Sequence, residues 1–131
     1  VRAFLGLTGY FRHYIPNNAE VAAPLYALTG PHEGWVWGPA QVESFERHKA
    51  ALVSEPILRQ PDFSREWIIQ TDYCATCVAA CLAQRDDAGR EYVVQYASKK
   101  LSGAQLNWSA TDGEAYAVVW AVKHWHSYVA G

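Results

Sequence analysis

Trp67-Ile68-Ile69-Gln70-Thr71-Asp72, followed by Val78-Ala79-Ala80-Cys81-Leu82-Ala83-Gln84 and Tyr92-Val93-Val94-Gln95-Tyr96-Ala97-Ser98, is the stretch that decides the fold of this chain. The three runs are short and rich in β-branched and aromatic residues, which suit a pleated, half-buried surface. Asp86-Asp87-Ala88-Gly89 supplies a turn between the last two. The pattern predicts a three-stranded antiparallel meander. Beyond it, Ser102 to Asn107 reads as a polar connection, and Thr111 to about Tyr128 as a helix. That helix is apolar nearly all round from Ala115 to Val122, which predicts burial against the sheet.

Upstream the period changes. All six prolines lie at or before Pro61, and a shift in composition falls near residue 62. Arg2 to Tyr14 carries Phe4, Leu5, Leu7, Thr8, Phe11 and Tyr14 at helical spacing, until Pro16 and two asparagines end it. A second short helix is predicted over Ala19 to Leu28, with Gly30 and Pro31 beyond its end. Pro31 to Pro39, holding Trp35 and Trp37, reads as a loop with large apolar anchors. A third helix, Pro39 to Ser54, opens on a proline suited to the first helical position and sets Val42, Phe45, His48, Lys49 and Leu52 on one side. The expected fold class is therefore α/β in the α+β sense, with short helices over residues 1–62 and a meander with one buried helix over 63–131.

At 131 residues the chain fits one compact domain or two small subdomains sharing a core. Half of its residues are apolar and 14% aromatic, which excludes disordered, collagen-like and low-complexity classes. Eleven basic against thirteen acidic residues give a net charge of -2, so electrostatics alone would not hold nucleic acid, and any such contact must be local. The longest apolar run, Ala115 to Val122, is far short of the roughly 20 residues that span a bilayer, and no membrane partner is expected. Val1 to Ile15 does not resemble a signal peptide, and an odd number of cysteines, three, predicts reduced thiols in an intracellular compartment. The starting Val1, the abrupt end at Gly131 and the absence of methionine predict an excised piece of a longer polypeptide.

Asp72 ends a strongly apolar strand, so its carboxylate would sit at the mouth of the sheet. Glu114 opens the long helix, whose first turn could bring a second carboxylate near it. Two acidic groups from separate elements make half of a clamp for a hard divalent cation, which prefers oxygen ligands. The same residues also satisfy simpler roles: Asp72 as a turn residue, and Thr111-Asp112-Gly113-Glu114 as a capping box. Cys74, Cys77 and Cys81 invite a zinc reading, but no fourth ligand stands at finger-like spacing, and small buried core residues are the favoured description. Arg2, Arg12, His13, Lys99 and Lys100 are the candidate phosphate contacts, each also describable as solvated surface.

Phe4-Leu5-Gly6-Leu7-Thr8-Gly9-Tyr10-Phe11-Arg12-His13-Tyr14-Ile15-Pro16, then Ala22-Ala23-Pro24-Leu25 and Trp35-x-Trp37, resembles the segment after the polymerase palm in reverse transcriptases of gypsy-type retrotransposons and retroviruses. Phe45-x-x-x-Lys49-x-x-Leu52, Glu55-Pro56-Ile57-Leu58, Pro61-Asp62-Phe63, Gln70-Thr71-Asp72, Tyr96-Ala97-Ser98-Lys99-Lys100-Leu101 and Glu114 with Ala117-Val118-Val119-Trp120-Ala121 follow in the family's order. The resemblance covers essentially the whole chain. It implies a thumb or connection region over the first sixty or so residues and the N-terminal part of a ribonuclease H-like domain after them.

The resemblance further implies two-metal hydrolysis of the RNA strand of an RNA–DNA hybrid, with magnesium, or manganese in its place, on four carboxylates. Asp72 looks like the first and Glu114 the second; the others are expected beyond Gly131. The implied partners are an RNA–DNA hybrid or template-primer duplex and the remainder of the polyprotein, in the cytoplasm within a virus-like particle or in the nucleus. The isolated chain is expected to be inactive. Relatives usually carry a small residue and a serine after the first Asp, then two glycines flanking one residue; here Tyr73, Cys74, Cys77 and Ala79 stand instead, and added Cβ atoms are expected to crowd the turn. Gly113 stands where a charged residue is more usual. These departures carry the alternative, a domesticated or decayed non-catalytic module that binds nucleic acid or protein.

Overall fold

The computed structural model describes residues 1–31 and 34–130. The chain divides into two compact units, one of Val1–Leu58 and one from Arg59 onward. The first is helical: α1 (Arg2–Tyr10), α2 (Asn18–Tyr26) and α3 (Pro39–Leu52). The helix expected over Arg2 to Tyr14 stops at Tyr10, and a 3₁₀ turn takes Arg12–Tyr14. Asn17, at φ 55, turns the chain into α2; asparagine tolerates this left-handed backbone better than most residues. Of the loop read over Pro31 to Pro39, residues 32 and 33 lie outside the described residues. Beyond them Trp35 and Trp37 stack on one another, ring centroids 6.1 Å apart.

The core of this unit is Leu5, Ala22 and Leu25, with Phe4, Leu28 and Phe45 packed against it. The expected side of α3 is buried in part: His48 and Leu52 are buried and Phe45 half-buried, but Ser44 joins them, whereas Val42 and Lys49 are exposed. Hydrogen bonds to α2 make this tolerable. The Ser44 hydroxyl donates to the Val21 carbonyl, and His48 Nδ1 donates to the Ser44 carbonyl at 2.8 Å while Nε2 lies 2.9 Å from the Asn18 amide oxygen. A buried polar group so paired avoids the 1–3 kcal/mol or so that an orphaned one would cost.

The second unit carries β1 (Ile68–Cys74), β2 (Cys77–Arg85) and β3 (Glu91–Lys100) in one antiparallel sheet of order β1-β2-β3. Asp86 shapes the β2–β3 turn, its carboxylate accepting the Ala88 and Arg90 N–H groups at 3.0 and 2.9 Å, and Gly89 takes φ 79. Strand alternation sends Ile69, Ala80 and Leu82 to one face, where they meet Ala121 and Trp125. Full burial of a side chain such as Leu82 stabilises by about 1.5–3 kcal/mol. Gln84, fully buried, ties the segment before β1 to the sheet: Nε2 donates to the Asp62 carbonyl at 2.7 Å, and Oε1 accepts the Asp62 N–H at 2.9 Å and the Tyr92 hydroxyl at 3.1 Å.

The long C-terminal helix is two elements, α4 (Ala110–His124) and α5 (His126–Val129), parted at Trp125. Trp125 leaves helical geometry and is fully buried, its indole N–H donating to the Gln95 side chain. The expected all-round burial of Ala115 to Val122 is not observed. Gly113, Ala117 and Ala121 form the buried stripe, and Val118 and Val119 are 50% exposed, because a single sheet covers only one side of a helix. The architecture is mixed α/β. Among the described residues no strand pairs with the outer edge of β1.

Candidate metal centre

Asp72 lies in β1 opposite Ala79 of β2 and is exposed. Its neighbour Tyr73 packs on the side of the sheet that α4 covers, against Val78, Leu101 and Ala117. Alternation therefore places Asp72 on the other side, together with Gln70, whose amide donates to Glu91 at 2.8 Å. Glu114 stands in the first turns of α4 and is also exposed. The capping box read at Thr111 is not formed. Ser109 is the N-cap: its backbone is extended, its hydroxyl accepts the Asp112 N–H at 3.2 Å, and Thr111 is already helical. Glu114 is thereby released from any capping role. Neither the Asp72 nor the Glu114 carboxylate makes a hydrogen bond or ion pair with another described residue.

The contact between β1 and α4 is made at the residues adjacent to these two. A Cβ built on Gly113 would stand 2.1 Å from Cζ of Tyr73 and 2.3 and 2.4 Å from its Cε atoms. The ring thus occupies the volume that any side chain at 113 would need, so β1 and α4 meet here through the Tyr73 side chain, one residue from Asp72 and one from Glu114. The crowding expected from Tyr73, Cys77 and Ala79 does not arise. Tyr73 fits because position 113 has no side chain. Cys77 and Ala79 sit in ordinary strand backbone, since Asn17 is the one non-glycine with positive φ among the described residues.

The cysteines divide into two kinds. Cys81 is buried as expected, and burial pushes its thiol up to about 11. Cys74 is exposed and Cys77 half-buried. They are direct partners across the two-residue turn Ala75-Thr76, with Sγ atoms 3.0 Å apart. The Cys77 thiol, and after it Thr76, hydrogen-bond to Cys74 and hold it down to about 7, and the same bond raises Cys77. This pair went unread in the sequence, although two cysteines separated by two residues at the end of a strand run were the signal for it. Among the described residues no group of three or more His, Cys, Asp and Glu side chains converges to hold a metal ion.

The candidate phosphate contacts are spread over both units. Arg2 donates to the Thr29 carbonyl at 3.1 Å and Arg12 to the Gly9 carbonyl at 3.0 Å, and His13 is exposed in the 3₁₀ turn. In the other unit Lys99 donates to the Tyr116 hydroxyl at 3.0 Å on the α4 side. Lys100 is exposed and pairs in register with Cys77, which puts it on the same side of the sheet as Asp72.

A family model described as an RNase H-like domain found in reverse transcriptase matches residues 37–131. The polyproteins of transposons Tf2-3 and Tf2-4 of Schizosaccharomyces pombe are each 40% identical to the chain over 129 residues, 98% of its length. The chain spans 10% of the length of those relatives. Among solved structures, prototype foamy virus protease-reverse transcriptase is similar with a TM-score of 0.73 at 18% identity, over 98% of this chain and 17% of that one. The foamy viral protease-reverse transcriptase in complex with dsDNA gives 0.72 at 16% identity, over 98% of this chain and 28% of the other.

Proposed function

Because the chain belongs to the family of RNase H-like domains found in reverse transcriptases, we propose that it serves as the thumb-to-ribonuclease H portion of a gypsy-type retrotransposon polyprotein. In this reading the parent copies RNA into DNA and hydrolyses the RNA strand of RNA–DNA hybrids. Asp72 and Glu114 are its first two metal-holding carboxylates. The observation that carries the reading is that both side chains are exposed and unpaired, on a strand and a helix that meet through the neighbouring Tyr73–Gly113 contact. Their donor chemistry fits a hard cation, which takes carboxylate oxygens and keeps several waters. Bound there, magnesium or manganese would supply an activated water and neutralise charge at the leaving oxygen.

Asp72 and Glu114 then have the task of holding a cation at the open edge of β1, where a hybrid backbone has access. Lys100, on the side of the sheet that bears Asp72, and Lys99 next to it would meet phosphates there; Arg2, Arg12 and His13 are the candidate phosphate contacts of the helical unit taken by itself. The nucleic-acid ligand of the dsDNA-bound foamy viral relative supports a duplex partner. Two carboxylates carry too little charge to hold two divalent ions close together, so this chain alone cleaves hybrid slowly or not at all. Cytoplasm, within a virus-like particle, or nucleus is the compartment that goes with this reading.

Manganese titration followed by calorimetry tests it. The chain should bind one ion, and Asp72→Asn or Glu114→Gln should weaken binding at least tenfold. Unchanged binding in Asp72→Asn would remove the metal assignment. It would also favour the second reading, a non-catalytic module of the same fold that binds nucleic acid or protein, which draws on the departures at Tyr73, Cys77 and Ala79.

A further inference from the structure

We propose that Cys74 and Cys77 are a redox pair that closes to an intramolecular disulfide across the β1–β2 turn. The two residues are register partners at the last rung of the hairpin. Directly opposed residues of antiparallel strands have Cα atoms roughly 4.5–5.5 Å apart, inside the roughly 4.4–6.8 Å that disulfides span. Both side chains lie on one side of the sheet, as partners must, and their sulfurs stand 3.0 Å apart, so a movement of about 1 Å reaches bonding distance. Cys74 is exposed, which gives a small oxidant access. Neither thiol belongs to the core, so closing the pair disrupts no packing. Cys81 cannot compete, because it is buried and four residues further along β2.

The oxidant is a low-molecular-weight disulfide such as oxidised glutathione. One cysteine, as its thiolate, attacks an oxidant sulfur and expels one glutathione thiolate, leaving a mixed disulfide on the protein. The second cysteine loses its proton to solvent, attacks the protein sulfur of that mixed disulfide and expels the second glutathione. Two protein thiols are oxidised to one disulfide, and one external disulfide is reduced to two thiols. The product straps β1 to β2 two residues from Asp72. It also removes both thiols from the reach of larger electrophiles.

Glutathione redox buffers, acid quenching and intact-mass analysis with counting of free thiols test the pair. The chain and a Cys81→Ala variant should each lose two hydrogens and two thiols while remaining monomeric. Cys74→Ser and Cys77→Ser should stop at the glutathione adduct. Half-oxidation in native buffer should need at least tenfold less oxidised glutathione, at fixed reduced glutathione, than in urea, because the folded hairpin presets the approach. Three thiols surviving under oxidising conditions, a persistent adduct or an intermolecular dimer in the unsubstituted chain, or equal midpoints in buffer and urea would overturn the proposal. The Cys81→Ala chain guards against misreading a serine variant that does not fold.

Discussion

Substituting Gly113 with alanine probes a close approach between α4 and the sheet. The added Cβ would stand 2.1–2.4 Å from three atoms of the Tyr73 ring, far inside any carbon–carbon contact, so the ring must swing away. Tyr73 is half-buried among Val78, Leu101 and Ala117. Complete burial of a large apolar side chain is worth roughly 1.5–3 kcal/mol, so abandoning this partial packing forfeits about 1–2 kcal/mol. Alanine regains up to about 1 kcal/mol over glycine within a helix, less so near its start. The two effects nearly cancel, and Gly113→Ala alone should destabilise by about 0–1.5 kcal/mol. The background separates them. With Tyr73→Ala in place no ring remains to displace, and Gly113→Ala should then stabilise by about 0.5–1 kcal/mol. Urea unfolding of the four chains, followed by circular dichroism, gives an expected coupling of about 1–2 kcal/mol. If Gly113→Ala shifts stability equally in both backgrounds, within about 0.5 kcal/mol, the ring does not occupy that space and the argument fails.

Gln84→Leu should cost about 2–4 kcal/mol in urea unfolding, because the Asp62 N–H, the Asp62 carbonyl and the Tyr92 hydroxyl lose their partner together; a loss below 1 kcal/mol would contradict the buried network. The Asp86 carboxyl is held below its usual range by the Arg90 and Ala88 N–H groups and the nearby Arg59 guanidinium. Its stabilising effect is present above about pH 4 and is lost as pH falls through the folded-state value. Asp86→Asn keeps an acceptor oxygen but no titration, so its melting temperature should fall less steeply below about pH 4 than that of the parent chain. Burial, aided by the Glu91 charge, raises the Cys81 thiol to about 11, so iodoacetamide at about pH 8 should leave Cys81 unlabelled in the native chain and label it in urea. Native labelling of Cys81 at the rate of Cys74 would refute that placement.

The meander was readable because strand signals are local. The β-branched runs and the Asp86-to-Gly89 turn carry their own instructions, and the observed strand ends fall within two residues of each predicted run. What sequence could not disclose depends on partners far along the chain. Ser44 has the composition of a surface residue, and its bond to α2, with that of His48, brings this polar pair into the buried stripe beside Phe45 and Leu52. Ser109 and Thr111 are both good caps with an acidic or polar residue three positions on, so local chemistry alone does not choose between them. Trp125 ends α4 with neither glycine nor proline, drawn from the helix by its buried position and its bond to Gln95.

Tyr73 and Gly113, forty residues apart, looked like two separate faults beside the candidate carboxylates. In three dimensions they are one packing unit, a large ring on the strand matched by a missing side chain on the helix. A bulky residue at 73 facing a side chain at 113 would push α4 off β1. The glycine avoids that separation. The pair of departures therefore preserves the contact of β1 and α4, and an account of these substitutions as loss of constraint must explain why they match.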